Sequence, residues 1–264
     1  MINNKIIIDM YNKGMSMSKI ASLVGYKSQN SVKNILIKNN IKIRSKAGFK
    51  PEFNENFFEN IDSEEKAYWL GFFTADGNVY PRKNSQPCLR IELSIKDKYI
   101  LEQFKNSLNL YVNVRKTRKQ CCILQWHSQK MFDDLFFYGV VPNKTKKEKF
   151  VILNNELMNH YIRGFFDGDG WVTNTTSHGK RKGSRKCIGF CGNPVFLNDL
   201  RTFLNKEIGT KNLKIADRAG CSQLLYSSKE DVENLIKYMY HNSNIFLKRK
   251  KDECYKSYTN IEIS

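Results

Sequence analysis

Two runs in this chain share one plan. The first reads Tyr68-Trp69-Leu70-Gly71-Phe72-Phe73-Thr74-Ala75-Asp76-Gly77 and the second Tyr161-Ile162-Arg163-Gly164-Phe165-Phe166-Asp167-Gly168-Asp169-Gly170. Each is an apolar helical stretch carrying one central glycine, ends in Asp-Gly, and passes into a β-type segment at Asn78-Val79 or Trp171-Val172. Corresponding residues lie 93 positions apart, the signature of a duplicated unit. A glycine on an aromatic-rich helix removes side-chain bulk and lets a second helix backbone approach closely. Helices packed through Gly71 and Gly164 bring their C-terminal ends, and with them Asp76 and Asp169, to one point. The carbonyl end of a helix is already negative, so two carboxylates at two such ends repel unless cations lie between them. Hard oxygen ligands with retained water are what Mg²⁺ accepts. A single Asp-Gly is ordinary turn chemistry; two copies with the same flanks point to a metal site.

The runs ending Asp76-Gly77 and Asp169-Gly170 resemble the two signature helices of a LAGLIDADG homing endonuclease of the single-chain, two-repeat type. Trp69, Phe72 and Phe73 replace smaller aliphatic residues, and Thr74 stands where that family often has an Asp, which the second copy keeps as Asp167. The resemblance implies that Asp76 and Asp169 bind the catalytic divalent metal, Mg²⁺ or a similar ion. It implies a site-specific double-strand DNA endonuclease, cutting a long, imperfectly symmetric site across the minor groove to leave short 3′ overhangs. It also implies a basic residue from the end of each repeat beside the scissile phosphate. Lys144 in Pro-Asn-Lys-Thr and Lys250 in Leu-Lys-Arg-Lys match best, with Lys146 and Lys248 as close competitors. Glu92 falls where the family often has a water-positioning residue; an ion pair with Arg90 is the alternative.

The same resemblance leaves two non-nuclease readings: a DNA-binding regulator that has lost catalysis, and an intron RNA maturase. Retention of both aspartates favours the enzyme. His127, His160, His178 and His241 are too scattered for a histidine-based nuclease centre.

The formal charge of +18 over 264 residues implies a polyanionic partner, double-stranded DNA first. Lysine richness also follows from A/T-rich coding, which adds Lys without demanding net charge. Seven cysteines, odd in number and without a Cys-x-x-Cys pair, indicate neither a zinc ribbon nor a disulfide framework, and read as a reducing compartment. With no secretory leader pattern and no membrane-length apolar run, the expectation is an intracellular, cytoplasmic protein with no membrane partner. The internal duplication implies a monomer with a pseudo-twofold axis.

Hydrophobic periodicity orders the chain as follows. Residues 1–45 form a small all-α unit resembling a helix-turn-helix. Its helices carry Ile6, Ile7, Met10 and Tyr11, then Ile20, Ala21, Leu23 and Val24, then Val32, Ile35, Leu36 and Ile37. Ser16 or Ser18 caps the second helix and Ser28 or Asn30 the third. The third helix would enter the major groove with Lys27, Ser28, Gln29, Asn30 and Lys33 nearest the bases. Residues 46–60 read as a linker, with Gly48 and Pro51. Two repeats follow, 61–150 and 151–264, each of order αββαββα. The fold class is therefore α+β, with a DNA-binding β-saddle and an N-terminal helical domain. In Leu89-Arg90-Ile91-Glu92-Leu93-Ser94, alternation turns the apolar set to the core and Arg90, Glu92 and Ser94 to the other face. The saddle would present Arg90, Arg115, Lys116, Arg118 and Lys214 to phosphates. A longer basic hairpin in the second repeat adds Lys180, Arg181, Lys182 and Arg185.

Overall fold

The computed structural model describes residues 4–43, 53–117, 119–142, 147–177, 183–218 and 220–256. It divides into two compact units, one of residues 1–54 with 105–111, the other of residues 55–104 with 112–264.

The first unit contains α1 (Asn4–Asn12), α2 (Met17–Leu23) and α3 (Gln29–Lys38). Ser16 caps α2 by accepting from the Lys19 N–H at 3.2 Å, and Ser28 caps α3 through the Asn30 N–H at 3.2 Å. Each hydroxyl satisfies a main-chain donor that the first helical turn leaves open. Gly14 and Gly25 make the turns at φ +91° and +76°, a backbone region that side chains disfavour. The core is Ile7, Tyr11, Ile20, Ala21, Val32 and Leu36. Ile37 was expected among them and is instead 51% exposed, because it follows Leu36 around the helix by about 100° and leaves the apolar stripe. Ile6 and Leu23 are exposed for the same reason.

The second unit holds both repeats except for residues 105–111 of the first. In the first, α4 (Glu64–Ala75) leads to β1 (Asn78–Arg82), β2 (Ser85–Ser94), α5 (Lys98–Ser107), β3 (Arg115–Lys116), β4 (Cys121–His127) and α6 (Gln129–Phe137). In the second, α7 (Asn155–Asp169) leads to β5 (Gly170–Ser177), β6 (Gly183–Gly192), α8 (Pro194–Ile208), β7 (Ala216–Arg218), β8 (Cys221–Tyr226), α9 (Lys229–Tyr240) and α10 (Lys248–Tyr255). The expected αββαββα order is present twice. The sheets are antiparallel and four-stranded, in orders β1-β2-β4-β3 and β5-β6-β8-β7. The short outer strands β3 and β7 are shorter than the alternation suggested, and α10 follows the second repeat where only a basic cluster was read.

Leu89, Ile91 and Leu93 of β2 lie opposite Trp126, Leu124 and Cys122 of β4 and form the buried face of the first sheet. Arg90 and Glu92 turn to the other face, as the period of two requires. The hydrophobic interior continues into the aromatic side chains of α4. Trp69 stacks on Phe104 with ring centroids 4.0 Å apart, and Phe73 meets Trp126 edge-on at 6.0 Å.

α4 and α7 cross at their glycines. A Cβ on Gly71 would stand 2.0 Å from the carbonyl oxygen of Tyr161, and one on Gly164 would stand 1.9 Å from that of Tyr68. The contact is reciprocal, with each glycine seated on the residue three positions before the other. No side chain fits there, so backbone meets backbone.

Candidate active site

The crossing delivers the two acids. Asp76 is the C-cap of α4, Asp169 is the last residue of α7, and both are half-buried. A Cβ on Gly168 would lie 2.3 Å from the Ala75 side chain and 3.5 Å from Oδ2 of Asp76. Asp76 therefore sits against the residue that precedes Asp169.

Lys250 lies among them. Its Nζ is within 2.7 Å of the Phe166 and Asp167 carbonyl oxygens, 3.2 Å of that of Gly168 and 2.6 Å of that of Gly170. The residue is 7% exposed. An ammonium has three protons, and carbonyls at the end of α7 take all of them. Lys250 thus caps the negative end of α7. Burial pushes its pKa down to about 8, with Arg249 acting in the same direction, against the opposing fields of Asp167, Asp76 and Asp169. Lys144 and Lys146 lie outside the described residues.

Asp167 and Arg163 form a buried polar set that the sequence reading did not single out. The Asp167 carboxylate accepts from the Tyr68 hydroxyl at 2.9 Å, the Leu247 N–H at 2.7 Å and the Tyr240 hydroxyl at 3.5 Å. Burial pushes its pKa up to about 6 against Lys250 and the Leu247 N–H. Arg163, fully buried, donates to the carbonyls of Ile245 at 2.9 Å and Met239 at 2.7 Å, and to Glu64 at 2.7 Å. It also lies 2.9 Å from Nδ1 of His160. Glu64 in turn accepts from Asn244 and Ile245 N–H groups at 2.7 and 3.2 Å. The signal was present: a lone arginine between Ile162 and Gly164, in a run otherwise apolar, must be buried and must find partners.

Glu92 pairs with Arg90 on the outer face of the first sheet. Pairing registers give its counterpart in the second repeat. Asn78 faces Arg90 and Trp171 faces Gly189, so Glu92 corresponds to Cys191. Cys191 is bonded to Cys221 across β6 and β8, which corrects the expectation of no disulfide. An odd cysteine count does not forbid one bridge, and cross-sheet proximity is invisible without the register. The bridge lines a cleft of about 570 Å³ with Asp169, Glu148, Asp217 and Arg218.

Of the expected phosphate contacts, Arg115, Lys116, Arg185 and Lys214 are exposed and Arg90 is half-buried. Arg118, Lys180, Arg181 and Lys182 lie outside the described residues, as do residues 46–52 of the 46–60 segment. In the first unit, Lys27, Ser28, Gln29, Asn30 and Lys33 are all exposed around the start of α3.

The donors that the ends of α4 and α7 offer are the carboxylates of Asp76 and Asp169, oxygen ligands that suit a hard cation such as Mg²⁺ or Ca²⁺. Among the described residues no group of three or more His, Cys, Asp or Glu could hold a metal ion. Two carboxylates leave coordination positions for water and phosphate oxygen. No helix among the described residues is long and apolar enough to cross a membrane.

The chain is similar to known proteins. An uncharacterized protein of Methanocaldococcus jannaschii, MJ0314, is 30% identical over 150 residues, covering 53% of this chain and 54% of that protein. The chain thus spans about half the length of that relative. The solved LAGLIDADG meganuclease I-AabMI, bound to uncleaved DNA, superposes with a TM-score of 0.54 at 13% identity over 73% of this chain and 88% of its own. I-SmaMI, bound to an uncleaved DNA target in the presence of calcium ions, gives a TM-score of 0.55 at 14% identity over 71% of this chain and 88% of its own. The LAGLIDADG-like domain profile matches residues 63–129, which begin at the cap of α4. Residues 63–129 thus match a LAGLIDADG-like domain, and the chain has the fold seen in the LAGLIDADG homing endonucleases.

Proposed function

We propose that the protein is a divalent-metal-dependent, site-specific double-strand DNA endonuclease acting on a long, pseudo-symmetric site. The observation that carries this reading is the reciprocal glycine crossing of α4 and α7, two helices that each end at an aspartate and lead into their own four-stranded sheet. Repulsion between those groups is relieved by a cation bound from the substrate side. Asp76 and Asp169 would hold the metal, which when bound activates water and neutralises charge on the phosphate. Lys250 offsets the negative end of α7 from behind and keeps the pair of acids close. Arg90, Arg115, Lys116, Arg185 and Lys214 bind phosphates and position the duplex. In the first unit, α3 adds major-groove contacts through Lys27, Gln29, Asn30 and Lys33, lengthening the site read. The solved relatives with bound DNA, and the one with calcium, support a DNA substrate and a divalent ion.

The test is selection of cleaved duplexes from a randomised plasmid library, with Mg²⁺ or with EDTA. Linear product with Mg²⁺ alone is expected. Asp76→Asn and Asp169→Asn should keep DNA affinity and lose double-strand cutting. Full cleavage by either variant would overturn the metal-site assignment.

A further inference from the structure

The ends of α7 and α10 cap each other. Lys250, in the first turn of α10, gives its ammonium to the carbonyls at the end of α7. Asp167, in the last turn of α7, gives its carboxylate to the N–H of Leu247, the N-cap of α10. The N–H of Leu247, left without a partner inside its own helix, is thus taken by a carboxylate from another element, at the positive end of α10. Nearby contacts close the arrangement. Arg249 reaches the buried Asp97 at 2.9 Å, and the Lys248 N–H donates to the Tyr99 hydroxyl at 2.6 Å.

Crossing the signature helices does not require an acid at this position. The first repeat has Thr74 there, whose hydroxyl bonds within its own helix to the Leu70 carbonyl at 2.9 Å. A fully buried carboxylate is costly to keep. The second repeat keeps one and aims it at α10, the helix that carries a cation to the end of α7.

We propose that Asp167 is a positioning residue for cleavage: by holding the first turn of α10 it sets Lys250 against the end of α7, and so fixes Asp169 relative to Asp76. The proposal rests on the endonuclease reading, and its test separates the two. Asp167→Thr copies the first repeat. Its DNA affinity, measured in Ca²⁺ on the selected duplex, should stay within about twofold, while its single-turnover cleavage rate in Mg²⁺ falls by a factor of about 10 to 100, as displacement of a catalytic group does. Lys250→Met should show the same split. The double variant should be no slower than Lys250→Met alone, because the two residues act through one contact. Hydrogen exchange of the 245–256 peptide should lose protection in Asp167→Thr. Independent, multiplying losses, or wild-type cleavage with unchanged exchange, would overturn the proposal. Should Asp167→Thr not fold, Tyr68→Phe removes one donor to the same carboxylate while keeping the ring. It should slow cleavage and loosen the peptide without weakening DNA binding; no effect on either overturns the proposal. If the wild-type protein cuts no DNA, the endonuclease reading fails, and the exchange experiment alone then decides whether Asp167 holds α10.

Discussion

Gly164 rests on Tyr68 so closely that a single methyl group would stand 1.9 Å from the tyrosine's carbonyl oxygen. Nothing flexible lies opposite to give way, since the contact is with backbone. Gly164→Ala should therefore destabilise the second unit by about 3 kcal/mol, and Gly71→Ala by a similar amount, read from denaturant unfolding of the full chain. Gly209 is the control: its added Cβ would meet nothing within 4 Å, but its φ of +69° makes Gly209→Ala a local backbone penalty of about 1 kcal/mol instead. Unfolding midpoints that rank Gly209→Ala as the worst of the three would contradict the crossing.

Arg163 and Glu64 join the two signature helices to the 239–247 segment. Glu64→Ala should lower stability by about 3 kcal/mol, because it leaves a fully buried guanidinium without its carboxylate. Adding Arg163→Met to it should recover much of that loss. A double variant less stable than Glu64→Ala would show that the main-chain carbonyls on Arg163 matter more than the ion pair.

His160 carries the acid response. Burial, then the Arg163 charge, pushes its pKa down from 6.5 to about 4, against Glu64. The folded protein thus favours the neutral ring, and this stability is full above pH 6.5 and is lost as pH falls through about 4. Asp167, raised from 3.8 to about 6, works in the opposite direction over much of that range. Replacing His160 removes one arm of the balance. His160→Gln should be about 2 kcal/mol more stable at pH 4.5, relative to wild type, than it is at pH 7.5. An unchanged difference across that range would mean the imidazole is not buried as described.

Cys191–Cys221 is the one bridge among seven cysteines, all of which are described. Protein purified without reductant, unfolded and alkylated, should gain five carbamidomethyl groups by mass, and seven after reduction. Seven adducts without reductant would show the pair to be thiols.

Much of this molecule was legible in its sequence, and for a physical reason. The β-period of Leu89 to Ser94, the capping serines Ser16 and Ser28, and the paired Gly and Asp of two runs are all local signals. Each is set by a few neighbouring residues. The misses depend on distant contacts. Lys250 in Lys-Arg-Lys-Lys was placed at the centre by resemblance, but the carbonyls of α7 that its ammonium meets lie some eighty residues earlier and are invisible in that string. Helix α10 buries only Lys250 and Cys254, too little apolar periodicity to announce a helix. Asp167 was seen as part of a signature, but its role depends on Leu247, eighty residues further on.

That separation bears on the order in which the protein is made. Both aspartates leave the ribosome with the signature helices, whereas Lys250 follows 81 residues after Asp169. A nascent chain that has reached α9 holds two repelling acids and no cation behind them. Helix α10 is made after both signature helices, so the ammonium that caps the end of α7 reaches it only once the strands and helices between them have been translated.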